Sequence, residues 1–319
     1  MTEDFRLPRL GKLRLLLTQY CNLNCLYCHK EGQFSARERI KPGEFKRLTE
    51  IANEFGLDEI KYSGGEPLAY AGLIALIKAA KELGIRKTSV TTNGILLEDK
   101  LEALAGAGLD ELSISLDTLN PEVFIKLNRG TEEQFKKTLR GIVRAKHYPF
   151  QTNLNMSLTK YNVQELNEMR RYAREQGFPL RLISFIPLDI NEKNAVATDS
   201  RTVFEALKKE AKSIEKGNTA AYTTLHMPEG ETLILVDSSC FSCDVCGESY
   251  ALRLTTDGRL KPCLISERGE IDVITPLREG DIAEVKKRFR QAIMLKKCGL
   301  MRYFDVSVKG SSGEYIVEE

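Results

Sequence analysis

The stretch that decides the fold is Cys21-Asn22-Leu23-Asn24-Cys25-Leu26-Tyr27-Cys28, which follows an apolar run at residues 13–17. Its three cysteines have the spacing CxxxCxxC on one short loop after a predicted strand. Three thiolates can hold three irons of a [4Fe–4S] cluster, which normally takes four protein ligands. The fourth iron then keeps an open position for a small molecule, as catalytic zinc does. The loop alone leaves a second possibility, a structural zinc site completed by His29.

Composition narrows the class of protein. The 319 residues are 42% hydrophobic and 29% charged, which is typical of a soluble globular protein. The net charge of +2 gives no indication of nucleic acid or a membrane surface as a partner. Neither a transmembrane run nor a signal-peptide pattern is present, so we expect a cytoplasmic protein. In that compartment the eight cysteines are expected to be metal ligands or catalytic groups rather than disulfides.

Strand and helix patterns alternate up to about residue 190. Apolar runs predict strands at residues 13–18, 59–63, 87–91, 111–116, 152–157 and 180–185. Apolar spacing of three and four predicts helices at residues 43–54, 70–83, 98–107, 131–147 and 162–176. Asn120 and Pro121 are predicted to be the N-cap and the first residue of another helix. Six βα repeats predict an α/β fold, a partial (β/α)6 TIM-like barrel with its chemistry at the carboxyl ends of the strands.

The pattern changes after Pro187. We predict a helix at residues 199–216, strands at 231–236, 251–255 and 259–264, and a helix at 282–295. The predicted domains are therefore a partial barrel at residues 1–190 and a smaller C-terminal α+β module at residues 191–319. The module carries a second group of cysteines.

Polar motifs mark the ends of three predicted strands. They are Ser63-Gly64-Gly65-Glu66-Pro67, Thr91-Thr92-Asn93-Gly94 and Ser113-Ile114-Ser115-Leu116-Asp117. Each could be an ordinary turn. As parts of a site, the two glycines would let a ligand approach bare backbone beside a carboxylate. Because the strands are expected to be parallel, all three ends would face one cavity.

These motifs, in this order, resemble the radical S-adenosylmethionine (SAM) enzymes over residues 12–190. The resemblance implies that Cys21, Cys25 and Cys28 hold a [4Fe–4S] cluster whose open iron binds SAM. Its implied SAM contacts are Gly64, Gly65 and Glu66 at the ammonium, Ser115 at the carboxylate, Thr91 and Asn93 at the ribose, and Tyr27 beside the adenine. One electron would then split SAM, and the 5′-deoxyadenosyl radical would remove hydrogen from a substrate.

The second cysteine group comprises Cys240, Cys243, Cys246 and Cys263, and Cys298 stands alone. Four thiolates at this spacing could close a zinc ribbon. The CxxC of Cys243 and Cys246, the segment Arg253-Leu254-Thr255-Thr256-Asp257-Gly258 and then Cys263-Leu264 resemble the MoaA family of GTP 3′,8-cyclases in molybdenum cofactor synthesis, most of all its archaeal members. That resemblance implies a second [4Fe–4S] cluster on Cys243, Cys246 and Cys263, with an iron open to GTP. Cys240 or Cys298 could close this cluster instead.

The MoaA resemblance spans nearly the whole chain and implies a triphosphate site. The matching cations are Arg14, Lys160, Arg181 and Arg253, each of which could also be a surface or ion-paired residue. The chain departs from the family in four ways. One arginine, rather than two, follows the second CxxC, and 16 residues separate Cys246 from Cys263. Residues 68–71 carry no basic side chain, and the sequence ends without Gly-Gly.

Three hypotheses for the function follow. The first is cyclisation of GTP by a radical SAM enzyme with two clusters, which needs an electron donor such as ferredoxin or flavodoxin. The departures favour a second, a MoaA-like enzyme acting on a peptide, another nucleotide or a cofactor precursor. The third is a non-enzymatic iron–sulfur or zinc protein, although an electron carrier has no need of a SAM pocket.

Overall fold

The computed structural model describes residues 9–33, 40–185, 196–217, 222–237, 251–264, 269–297, 307–309 and 314–316. The strands are β1 (Lys12–Leu16), β2 (Glu59–Ser63), β3 (Lys87–Thr92), β4 (Glu111–Ser115), β5 (Gln151–Ser157), β6 (Leu180–Ile183), β7 (Ser213–Lys216), β8 (Tyr222–His226), β9 (Thr232–Val236), β10 (Ala251–Leu254), β11 (Arg259–Lys261), β12 (Ile271–Asp272), β13 (Ser307–Lys309) and β14 (Glu314–Ile316). The helices are α1 (Pro42–Asn53), α2 (Leu73–Glu82), α3 (Leu101–Gly106), α4 (Pro121–Asn128), α5 (Glu132–Ala145), α6 (Leu166–Gln176), α7 (Ser200–Glu210), α8 (Ile274–Arg278) and α9 (Ile282–Lys297).

The chain forms two compact units, and the first comprises Met1–Tyr20, Lys30–Ser89 and Cys246–Glu319. Its strands have the order β12-β11-β10-β1-β2-β3. β1 pairs in parallel with β2 on one side and with β10 on the other. β11 and β12 extend the sheet in antiparallel fashion, and β13 pairs with β14 separately. Strands from both ends of the chain therefore build this unit.

The second unit comprises Cys21–His29 and Val90–Val245, so the division falls within β3. Its strands have the order β4-β5-β6-β9-β8-β7. β4, β5, β6 and β9 are parallel, and β8 and β7 follow as an antiparallel pair. The predicted α/β class with a parallel sheet is thus confirmed.

Alternation along β4 places apolar side chains on one face of the sheet and polar side chains on the other. On β4, Leu112 and Ile114 are fully buried, and they alternate with Glu111, Ser113 and Ser115. A parallel sheet is usually buried on both faces and rich in aliphatic residues. Polar side chains on one face of such a strand therefore indicate a site rather than a packing surface.

Most of the predicted elements form close to their predicted bounds. The predicted cap of α4 is confirmed, since the Asn120 side chain accepts a hydrogen bond of 2.8 Å from the Glu122 N–H and Pro121 opens the helix. The helix predicted at residues 199–216 is wrong in its last third, because α7 ends at Glu210 and β7 follows. β8 was not predicted. None of the helices in the described ranges is long and apolar enough to cross a membrane.

Candidate active site

The cysteine loop of the second unit is held by backbone hydrogen bonds to the end of α4. The Asn24 and Leu26 N–H groups donate to the carbonyl oxygens of Asn128 and Leu127 at 3.2 and 2.9 Å. Within the loop the Cys28 N–H donates to the Cys25 carbonyl oxygen at 3.1 Å. The loop is therefore positioned by the helix that the Asn120-Pro121 signal begins.

Two side-chain amides lie against the sulfur atoms of this loop. Asn128 Nδ2 donates to Cys25 Sγ at 3.3 Å, and Asn93 Nδ2 lies 3.7 Å from Cys21 Sγ. Asn93 also donates to the Asn22 side-chain oxygen at 2.7 Å. Hydrogen bonds to sulfur tune the properties of iron–sulfur clusters. The sequence predicted Asn93 as a site residue, but it gave no sign of Asn128.

A buried carboxylate lies behind the loop. Asp117 accepts hydrogen bonds from Tyr27 Oη, from Asn128 Nδ2 at 2.9 Å and from the Ser157 N–H at 2.9 Å. Burial raises the pKa of Asp117, although these three donors oppose the effect. Burial and the nearby carboxylate also raise the pKa of Tyr27 well above its ordinary value. The Tyr27 hydroxyl therefore donates this hydrogen bond to the Asp117 carboxylate.

The donor set of the loop fits an iron–sulfur cluster. Burial raises the pKa of Cys25 to about 12, with the Asp117 charge adding to the effect and Asn128 opposing it. A metal cation reverses that preference, because a coordinating thiol loses its proton outright. In the described ranges no group of three or more His, Cys, Asp or Glu side chains is placed to hold a single metal ion. A cubane does not need one, because each thiolate binds a different iron.

The polar face of the second unit carries a row of predicted and unpredicted residues. Ser115 lies in register with Asn155, and Asn155 lies in register with Arg181. Arg181 Nη1 donates to Ser113 Oγ and contacts Glu111 Oε1, both at 3.0 Å. Arg181 thus lies in the same row as Ser115, two strands away, and its charge is partly balanced by Glu111.

Among the described residues, the buried polar atoms of this unit that have no hydrogen-bond partner include Thr91 Oγ1, Asn153 Nδ2, Asn155 Oδ1 and Arg181 Nε. Buried polar groups are nearly always paired, and leaving one unpaired costs about 1–3 kcal/mol. These atoms therefore fit a polar ligand that completes their hydrogen bonding.

Lys160 does not join this group in the structure. It is exposed, and its ammonium lies 5.3 Å from the centroid of the Tyr161 ring. Within the part of the chain that the structure describes, no ion pair or hydrogen bond joins its side chain to Arg181.

In the first unit, the glycine turn after β2 packs against the chain that continues β1. The Gly65 N–H donates to the Thr18 carbonyl oxygen at 2.6 Å, and the Glu66 N–H donates to that of Tyr20 at 2.7 Å. Gly64 has a φ of +134°, and a Cβ at Gly65 would lie 2.0 Å from the Tyr20 oxygen. The two glycines are therefore required by close backbone packing, a reason that the sequence alone did not reveal.

Glu66 is almost fully buried at this turn. Its exposed fraction is 1%, and its carboxylate accepts a hydrogen bond of 2.9 Å from the Leu68 N–H. That bond caps the short turn that begins at Pro67.

Two of the predicted phosphate-binding arginines are neighbours in the first unit. Arg14 on β1 lies in register with Arg253 on β10. Between them lies Glu31, whose carboxylate accepts two hydrogen bonds from Arg14 Nη1, at 2.8 and 3.0 Å. Arg253 Nε lies 3.7 Å from the same carboxylate, and Ser63 Oγ donates to it at 2.7 Å. The sequence predicted no role for Glu31.

Of the second cysteine group, the structure describes only Cys263. Cys240, Cys243, Cys246 and Cys298 lie outside the described residues. Cys263 is partly buried and follows β11 closely in the chain. The two residues before Cys263 in the chain each make a hydrogen bond. The Pro262 carbonyl oxygen accepts from Lys296 Nζ at 3.0 Å, and Lys261 Nζ donates to the Gly32 carbonyl oxygen at 3.0 Å.

Comparison with known proteins gives the family. Residues 15–173 match the model of the Radical SAM superfamily, and residues 178–301 match the model named Molybdenum Cofactor Synthesis C. The chain is 35% identical over 298 residues to the "Probable GTP 3',8-cyclase" of Methanococcus aeolicus, covering 91% of this chain and 97% of that protein. The chain belongs to the GTP 3′,8-cyclase family. A family member from Methanocaldococcus jannaschii is 35% identical over 278 residues and covers 85% of this chain and 91% of its own.

Family membership confirms the predicted enzyme class. The chain is a radical SAM enzyme of a family that acts in molybdenum cofactor biosynthesis. The superfamily implies one [4Fe–4S] cluster and SAM as cofactors, and the family implies a small-molecule substrate.

Solved structures agree on the fold. The chain superposes on "Crystal structure of Streptococcus suis SuiB bound to precursor peptide SuiA" with a TM-score of 0.66 at 17% identity, covering 88% of this chain and 65% of SuiB. It also superposes on a histidine-tagged anSMEcpe with bound AdoMet with a TM-score of 0.63 at 16% identity, covering 90% of this chain and 83% of anSMEcpe. At these identities the likeness shows the fold alone, which is the partial barrel predicted from the βα repeats.

Proposed function

We propose that this chain is a GTP 3′,8-cyclase that holds two [4Fe–4S] clusters. One observation carries the choice of a nucleoside triphosphate as substrate. Arg14 and Arg253, about 240 residues apart in the chain, are register neighbours on adjacent parallel strands. Two adjacent guanidinium groups suit a polyphosphate, whose oxygens accept fork-shaped pairs of hydrogen bonds. The names of the curated relatives support the same substrate.

The first cluster would be bound by Cys21, Cys25 and Cys28, which leaves one iron open. When bound, the cluster and SAM supply the radical that removes a hydrogen atom from the substrate. The chain itself keeps the loop in place through α4 and donates hydrogen bonds to sulfur from Asn93 and Asn128.

The ammonium of SAM requires acceptors, and the Gly64 and Gly65 carbonyl oxygens together with Glu66 offer them, because the Gly65 N–H is already bonded to the chain. Ser115, Thr91 and Asn93 remain our candidates for the carboxylate and the ribose. Further support comes from the orphaned hydroxyl of Thr91. Tyr27 remains the candidate beside the adenine.

The substrate cations would be Arg14, Arg253, Arg181 and Lys160. Arg181 carries unsatisfied hydrogen-bonding capacity at Nε, which supports a role toward an anion. Lys160 is exposed and able to move, since a lysine ammonium on a four-carbon stem is flexible.

The second cluster would be bound by Cys243, Cys246 and Cys263, with an iron open to GTP. Its support is the match of residues 178–301 to the molybdenum cofactor family and the placement of Cys263 just after a strand. We also propose a small electron carrier, such as ferredoxin or flavodoxin, as the reductant of the first cluster.

A second candidate is a related enzyme with a different substrate. The turn after Glu66 favours it, because residues 68–71 contain no cation and Leu68 is buried at 4% exposure. Each missing charge-assisted contact would cost about 1.5–3 kcal/mol of binding free energy.

Anaerobic reconstitution tests these candidates. The measurements are iron per chain, 5′-deoxyadenosine formed after reduction, and its increase on addition of GTP. Formation of a cyclised guanine product supports the cyclase. Cleavage of SAM that GTP does not stimulate favours the second candidate, and no cleavage at all removes both.

A matched pair of variants tests the phosphate site. Arg253→Ala should raise the KM for GTP at least about tenfold, since it removes a charge-assisted contact. Arg278→Ala is the control, because Arg278 pairs with Glu44 on the surface of the same unit at 2.7 Å. Equal effects of the two variants would contradict the assignment of Arg253.

A further inference from the structure

The carboxylate of Glu31 occupies the space between the two arginines of the first unit. Its side chain is 11% exposed, against 26% for Arg14 and 16% for Arg253. It receives two hydrogen bonds from Arg14 and one from Ser63. An anion therefore already occupies the position at which a phosphate of the substrate would meet these guanidinium groups.

The backbone that carries Glu31 is strained. Lys30, Glu31 and Gly32 have φ values of +48°, +54° and +72°, three consecutive residues in the left-handed region. Residues other than glycine visit this region rarely and singly, because Cβ comes too close to the following carbonyl oxygen. Such strain persists only where the surroundings over-determine it, and it is concentrated at functional sites.

Contacts from distant parts of the chain hold this left-handed turn. Lys261, fully buried and paired with Glu270 at 2.7 Å, donates to the Gly32 carbonyl oxygen at 3.0 Å. Gln33 Oε1 accepts hydrogen bonds from the Thr256 N–H and hydroxyl at 2.7 and 2.9 Å. The turn that carries Glu31 is thus fixed from outside, and the position of its carboxylate is imposed rather than accidental.

We propose that Glu31 is an internal counter-ion that an incoming polyphosphate must overcome to reach Arg14 and Arg253. This inference rests on the proposed function. With Glu31 ionised, the three groups carry one net positive charge rather than two, so every anionic ligand binds more weakly than it would to the arginines alone. Only a ligand with several anionic oxygens offsets that loss of affinity. Glu31 therefore makes the site bind a triphosphate in preference to a single phosphate.

The alternative is that Glu31 merely positions the arginines. Arg14 contacts the carboxylate through Nη1, and a guanidinium offers five N–H donors. The two roles predict opposite signs. A counter-ion weakens polyphosphate binding, so its removal tightens binding, whereas a positioning residue strengthens binding and its removal weakens it.

The test is calorimetric binding of inorganic tripolyphosphate to the anaerobically reconstituted full-length protein. Glu31→Gln keeps the shape of the side chain and removes its charge. We expect it to bind tripolyphosphate about tenfold more tightly than the wild type, which is about 1.4 kcal/mol. Glu44→Gln is the matched control, because it removes an equal charge from the surface pair with Arg278, and its affinity should stay within about twofold.

A second variant guards against a folding defect. Ser63→Ala removes the hydroxyl that donates to Glu31 at 2.7 Å and leaves all charges in place. We expect about threefold tighter binding, since one of the bonds that retain the carboxylate is lost. Circular dichroism and iron content check that both variants fold and carry cluster.

The outcomes separate this inference from the proposed function. Weaker or equal binding in both Glu31→Gln and Ser63→Ala overturns the counter-ion role, while the phosphate site itself stands. If neither the wild type nor Glu31→Gln binds tripolyphosphate, the phosphate role of Arg14 and Arg253 falls, and the inference falls with it.

Discussion

Replacing Gly65 with alanine should separate the turn after β2 from the chain that continues β1. The added Cβ would lie 2.0 Å from the Tyr20 carbonyl oxygen and 2.8 Å from that of Gln19. Ordinary contact begins at 3.4 Å, so the two backbone segments would have to move apart by more than an ångström. Neither segment can yield as a flexible side chain would, because the colliding atoms belong to the backbone.

The magnitude follows from what that movement breaks. The hydrogen bonds from the Gly65 N–H to Thr18 and from the Glu66 N–H to Tyr20, at 2.6 and 2.7 Å, would both be lost. Each contributes about 1 kcal/mol, and forced over-packing adds about 1–3 kcal/mol. We therefore expect Gly65→Ala to lower the free energy of unfolding by about 3–5 kcal/mol.

Urea denaturation followed by far-ultraviolet circular dichroism measures this loss. The control is Gly43→Ala in α1, where an added Cβ would meet no described atom within 4 Å and alanine favours the helix. The control should unfold at the wild-type midpoint or above it. A wild-type midpoint for Gly65→Ala would refute the close approach of these two segments. It would leave contact with SAM as the remaining reason for the glycine.

Three further predictions concern the cysteines, α4 and acid stability. Cys25→Ser should abolish SAM cleavage while Cys263→Ser spares it, and equal loss in both would contradict the separate roles of the two clusters. Asn128→Ala should lower the iron retained per chain. Asn120→Ala, which removes only the helix cap, should cost about 1 kcal/mol of stability and retain iron. Equal iron loss in the two variants would argue against the bond from Asn128 to sulfur. The pKa of Glu231 is lowered because burial, which raises it, is outweighed by hydrogen bonds from its own backbone and an arginine of α6. The stabilisation that ionised Glu231 provides is therefore complete at neutral pH and fades below about pH 4.5. Between about pH 5 and 3, the free energy of unfolding of Glu231→Gln should depend less steeply on pH than that of the wild type. An unchanged slope would contradict this role of Glu231.

Elements set by local chemistry could be predicted from the sequence. β2 has the predicted bounds, and α4 begins at Pro121 with the Asn120 cap because both signals act within a few residues. The cysteine loop was likewise recognisable from its spacing. For α4 the decisive interaction, from the Glu122 N–H to the Asn120 side chain, joins residues close in sequence.

Elements whose structure depends on residues distant in the sequence could not be predicted in this way. Residues 213–216 are exposed and compatible with a helix, but they form a strand because β8 pairs with them. Propensity is a weak preference that tertiary pairing overrides. The proximity of Arg14 to Arg253 depends on the register between β1 and β10. The role of Glu31 was hidden because contacts with Lys261 and Thr256 hold its turn.

The pairing of β1 with β10 also sets an order of events during synthesis. At about 5–20 residues per second, β10 leaves the ribosome roughly 12–48 s after β1. During that interval one edge of β1 presents unpaired N–H and C=O groups, which are a template for wrong strand pairing. We expect the yield of correctly folded enzyme to depend on how the nascent chain is protected in those seconds more than on the stability of the finished molecule.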